Sequence, residues 1–195
     1  GAEVIKVEAI QRYDHSRGPV VAPEGLSNYP GKRAHVRPYD VAAAFVQANR
    51  NKLSITLDLS RSDGVKLFKR FVAVSDVVVT NMVTGVPEKM GIGYEELARV
   101  RSDIIMLLSS GYGMTGPYAR RVTMGGAMDG IAGYMWLRHY PDSTPDTNSY
   151  STETDVVTGM NNSLAVLMAV YNRLETGRGQ LVETSGVEAA IHQLP

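Results

Sequence analysis

The chain has 195 residues, 44% of them hydrophobic, enough to bury one sizeable core within a single domain. Its 20 basic residues equal its 20 acidic ones, which removes the cationic excess that phosphate-backbone binding requires and argues against nucleic acid as a partner. With no cysteine, there is no disulfide and no thiolate nucleophile, so any covalent chemistry falls to a carboxylate, hydroxyl, amine or imidazole.

Val4 to Val7 reads as a short strand, followed by the polar stretch His15-Ser16-Arg17-Gly18. Between Gly18 and Tyr39 the turn formers Pro19, Pro23, Gly25, Pro30, Gly31 and Pro38 predict a long excursion of the kind that serves sites. Ser54 to Leu59 alternates Ile55, Leu57 and Leu59 with polar residues, the pattern of a strand with one wet face. A helix over Val65 to Val72, capped by Ser62 or Asp63, leads to the apolar run Val77 to Val79, which Asn81 follows. Lys89 falls in a turn after Gly85 and Pro87, and Tyr94 to Val100 reads as a helix. Ile104 to Leu108 is a second unbroken apolar run, and such runs suit strands covered on both faces. Strand and helix alternate, which predicts an α/β, Rossmann-like layered fold with a mostly parallel sheet and a ligand site at the carboxyl ends of its strands.

Gly111-x-Gly113-x-x-Gly116 matches the dinucleotide fingerprint, but Pro117 follows at once and the next helix begins only around Thr123. The fingerprint needs a helix opening directly behind its glycines, so neither a nicotinamide nor a flavin is expected. Tyr140 to Ser151 is a second polar loop, delivering the chain to Asp155. From there Val157, Met160, Leu164, Leu167, Tyr171 and Leu174 recur at helical spacing, predicting a helix that packs on this face and ends at Gly177. Asp155 stands at or beside its start, where unpaired amides and the helix dipole gather around a carboxylate that can serve as a cap or as a nucleophile. His15, His35, His139 and His192 show no ligand spacing, so no metal is expected. The apolar runs are too short to cross a bilayer and no signal segment leads the chain, so a cytoplasmic protein without a membrane partner is expected. Gly1 opens directly in a strand and Pro195 stops beside a new helix, which reads as truncation at both ends.

Taken in order, Gly1 to Glu8, Asn49 to Leu59, Ser75 to Asn81, Ser109 to Tyr118 and Asp155 to Gln180 resemble the class III CoA-transferases, the superfamily of formyl-CoA and carnitine-CoA transferases and 2-methylacyl-CoA racemases. The resemblance implies that residues 1–195 are the incomplete large domain, binding coenzyme A and bearing the nucleophile, with a small second domain absent. It implies transfer of coenzyme A from an acyl-CoA to a free carboxylic acid through an aspartyl anhydride and an aspartyl-CoA thioester on Asp155. Arg17, Asn81 and Lys89 then contact coenzyme A, whose phosphates suit cationic side chains. The whole protein is expected to be an interlocked homodimer. The chain departs from the family at Met82 and Val83, where an aromatic and an arginine are common, and at Thr123-Met124, where an acid is common. A racemase would need a second acid–base group; its family position is Met124 here, and His139 comes too late. The other alternative is a noncatalytic acyl-CoA-binding fragment.

Overall fold

The computed structural model describes residues 1–21, 29, 31, 36–147 and 153–194. Pro23, Gly25, Pro30 and His35 of the first expected loop, and residues 148–151 of the second, lie outside them. The chain divides into two compact units, Gly1–Phe68 and Lys69–Pro195.

In the first unit, β1 (Val4–Glu8) pairs in parallel with β2 (Lys52–Thr56), Val4 opposite Lys52 and Glu8 opposite Thr56. Between them lie a 3-10 turn at His15–Arg17 and two short helices, α1 (Pro38–Val41) and α2 (Ala43–Ala48). Asp14 caps the turn by accepting from the Ser16 amide. The second strand sits earlier than the expected Ser54 to Leu59. Leu57 makes a last backbone bond to Glu8, and the Asp58 carboxylate then accepts from the amide and hydroxyl of Ser60, which turns the chain out of the ladder. The helix α3 (Ser62–Val72) follows, as the sequence predicts.

The second unit carries a parallel sheet in the order β3 (Val77–Thr80), β4 (Ile105–Ser110), β5 (Gln180–Ser185). Helices α4 (Val86–Lys89) and α5 (Tyr94–Ala98) connect β3 to β4. From β4 the chain returns to β5 through α6 (Gly125–Ala132), α7 (Tyr134–Leu137) and the long α8 (Glu153–Thr176), and α9 (Gly186–Ile191) follows. The core is built on β4: Ile104, Ile105, Met106, Leu107 and Leu108 are buried, together with Leu97, Val72, Ala169 and Ala190. Each of the larger of these side chains, Ile, Met, Leu or Val, contributes about 1.5–3 kcal/mol. The other apolar run behaves differently, because β3 ends the strand order and leaves Val79 62% exposed.

The long helix also corrects an expectation. Met160, Leu164, Leu167, Tyr171 and Leu174, expected to pack, are all exposed, whereas Thr154, Thr158 and Ala169 are buried. The face turned inward carries small or short apolar residues, Ala165, Val166, Ala169 and Val170, beside polar groups that find partners there. Asn162 donates to the Ser109 hydroxyl at 2.8 Å and accepts from the Thr184 hydroxyl at 2.6 Å. Toward the other end, Arg173 donates to the carbonyls of Asp76 (3.2 Å) and Asp103 (3.5 Å). These contacts run α8 antiparallel to β4, so its first turn stands at the carboxyl end of the sheet. Gly177, at φ 70°, ends the helix in the left-handed conformation that glycine adopts freely.

Candidate active site

Asp155 is the third residue of α8 and lies within its first turn. The position before the helix is Thr152, outside the described residues. The Asp155 carboxylate rests on Gly125, the first residue of α6. A Cβ built on Gly125 would lie 2.5 Å from Oδ2, 2.9 Å from Cγ and 3.2 Å from Oδ1 of Asp155, so only glycine leaves room for this approach. The residue before α6 is Met124, which offers no side-chain cap, and the buried Gly125 and Gly126 amides have no carbonyl one turn back within the helix. Two helix starts therefore converge on one carboxylate, and both dipoles favour its negative charge. Gly125 escaped the sequence reading; its one signal is a Gly-Gly pair opening a helix, where helix propensity is poor and a close approach is the usual reason.

The same edge of the sheet collects other expected residues. Asn81 directly follows β3 and is exposed, behind a turn in which the Thr80 hydroxyl accepts from the Met82 amide. Lys89 is exposed at the end of α4, a single helical turn instead of the expected bare turn. The Gly111–Gly116 segment is a loop after β4, and α6 begins well beyond it, as the proline after the glycines predicts. Glu183 accepts from the Met114 amide, Ser185 and Val187 both donate to the Gly111 carbonyl, and the Thr84 hydroxyl donates to that of Gly113 at 3.2 Å. The loop is thus tied to β5, to α9 and to the segment carrying Lys89. The Nδ1 atom of His139 lies 2.8 Å from the Trp136 carbonyl, within its own turn.

Arg17 belongs to the first unit, at the carboxyl end of β1. Its Nε and Nη2 donate to Glu8 at 2.8–3.3 Å, its Nη1 donates to Asp40 at 2.6 Å, and its guanidinium stacks 3.8 Å from the centre of the Phe45 ring. The side chain is only 12% exposed. Glu8 raises the guanidinium pKa still further, and Arg17, outweighing the effect of burial, holds the Glu8 carboxyl below its ordinary value. Burial pushes Asp14 up, but Lys6 and Ser16 together hold it down to about 2. Beside this network lies a cavity of about 480 Å³ lined by Glu8, Ile10, Tyr13, Arg17, Tyr39 and Thr56, among others. That volume is within the range of small-molecule sites.

Residues 1–195 match the sequence profile of CoA-transferase family III. The chain belongs to that family. This family III chain is 33% identical over 196 residues to the alpha subunit of succinyl-CoA–L-malate CoA-transferase of Chloroflexus aurantiacus, covering 100% of the chain and 42% of that relative. It is 32% identical over 194 residues to the succinyl-CoA:glutarate CoA-transferase of Mus musculus, covering 98% of the chain and 40% of the relative. Among solved structures, a CaiB/BaiF family protein from Brucella suis superposes with a TM-score of 0.84 at 32% identity, over 100% of this chain and 48% of that one. The chain spans less than half the length of each of these relatives.

Proposed function

We propose that the whole protein transfers coenzyme A from an acyl-CoA to a free carboxylic acid, with Asp155 as the nucleophile. A carboxylate oxygen of Asp155 attacks the thioester carbonyl, the carbon–sulfur bond breaks, and the acyl group stays on Asp155 as a mixed anhydride. The thiolate then attacks the Asp155 carbonyl, releasing the donor acid and leaving an aspartyl thioester. The acceptor carboxylate repeats these exchanges in reverse and frees Asp155. Splitting one difficult exchange into several easier ones is the gain of covalent catalysis. The observation that carries this reading is the Asp155 carboxylate against Gly125 at the meeting of two helix starts. The Gly125 and Gly126 amides are suited to stabilise the oxyanions that form beside it.

Asn81, which directly follows β3, and the exposed Lys89 contact coenzyme A. Arg17, which lines the cavity of the first unit and is held in place by Glu8 and Asp40, contacts the coenzyme's phosphates with its remaining N–H groups. The exposed apolar face of α8 supports burial against further protein, in keeping with an interlocked homodimer of whole chains.

The relatives' names make succinyl-CoA the first donor to try, with malate and glutarate as acceptors. The full-length protein is incubated with succinyl-CoA and examined by mass spectrometry for a covalent adduct on Asp155, and Asp155→Asn is assayed alongside. Loss of the adduct and a fall in exchange of at least about a thousandfold are expected. Exchange by Asp155→Asn within about tenfold of wild type would sink the assignment.

A further inference from the structure

The carboxylate of Asp129 lies in the same helix pair as Asp155 and has no part in the exchange described above. It is 0% exposed, on α6 about one helical turn after Gly125. A buried carboxylate is stable only when its oxygens are matched by donors. Here the donors come from the start of α8. Oδ1 accepts from the Thr154 amide at 3.1 Å and also from the Thr154 hydroxyl. Thr154 is itself fully buried, and its amide belongs to the first turn of α8, where no intrahelical acceptor exists. Arg138 completes the arrangement, with Nη2 3.6 Å from Oδ2 of Asp129 and Nη1 3.3 Å from Glu153.

Two cross-helix contacts therefore stand side by side. Along α6 they are Gly125 and Asp129, one turn apart; along α8 they are Asp155 and its neighbour Thr154. Because Thr154 cannot shift without carrying Asp155, the tie to Asp129 determines where the nucleophile lies over Gly125.

We propose that Asp129 is a positioning residue for the reaction, acting through Thr154 to hold the Asp155 carboxylate over the start of α6; this rests on the reading of Asp155 as nucleophile. Its Oδ1 accepts both Thr154 donors while its Oδ2 faces Arg138.

The test uses the full-length protein with succinyl-CoA and compares Thr154→Val, Thr154→Ser, Asp129→Asn, the Thr154→Val/Asp129→Asn pair and Asp155→Asn. Thr154→Val keeps the shape but removes the hydroxyl, so it remains informative should Asp129→Asn fail to fold. For variants that melt cooperatively, turnover and the rate of adduct formation on Asp155 are expected to fall about 10- to 100-fold, with KM for succinyl-CoA within about twofold of wild type. Thr154→Ser restores the rate, and the double variant falls no further than its worse parent, since both changes act on one link. Thr154→Val forming the adduct at the wild-type rate while Asp155→Asn is inactive overturns the positioning role alone. An active Asp155→Asn overturns the nucleophile reading instead.

Discussion

Replacing Gly125 by alanine should damage catalysis without damaging the fold. The new Cβ would lie 2.5 Å from Oδ2 of Asp155 and 2.9 Å from its Cγ. Ordinary carbon–oxygen contact needs about 3.4 Å, so the carboxylate must move by about 1 Å. The atoms that give way are the end of a side chain, not backbone, and rotating them is cheap. Alanine is also the better helix former, by up to about 1 kcal/mol in a helix interior and less at a first residue. Stability should therefore hold or rise slightly, while a displacement of about 1 Å from the attack geometry lowers turnover by up to about a hundredfold. Exchange kinetics of the full-length variant, together with its thermal melting curve, separate the two effects. Turnover within about twofold of wild type in the folded variant would refute the argument that Gly125 is glycine to admit the nucleophile.

Arg17→Ala strands the nearly buried Glu8 without its partner and should cost about 3 kcal/mol of stability, seen as a lower melting temperature, whereas Lys89→Ala should leave melting unchanged and raise KM for acyl-CoA. The Glu8 and Asp14 carboxyls, with ordinary values of 4.5 and 3.8, are both lowered by folding, Asp14 to about 2. Their contribution is present above about pH 4.5 and is lost as pH falls toward 2; for Asp14 it is on the order of 2 kcal/mol, and acid unfolding of a Lys6→Met variant should begin at higher pH than in wild type. Leu167→Glu, on the exposed face of α8, should leave secondary structure intact by circular dichroism but shift the full-length protein toward monomer in sedimentation.

Local patterns in the sequence were enough to mark most elements. The apolar run at Ile104 to Leu108 announced a strand buried on both faces, the proline behind Gly116 ruled out a helix at the glycine loop, and Gly177 marked the end of α8. These are short-range facts, dictated by side-chain burial along one strand or by the backbone preferences of single residues. Asp155 at a helix start was legible for the same reason. The packing face of α8 was not. Its large apolar residues are exposed, and it meets the sheet through Thr154, Thr158, Asn162 and Ala169, because what a helix buries depends on the groups opposite it. Nor did the sequence show that Glu8 and Asp40, 9 and 23 residues away from Arg17, meet its guanidinium. The setting of Asp155 likewise arises only when α6 is laid against α8, bringing Gly125 under the carboxylate and Asp129 to Thr154 across 25 residues of chain. Contacts of that kind belong to the packing of two helices, and neither helix carries them in its own periodicity.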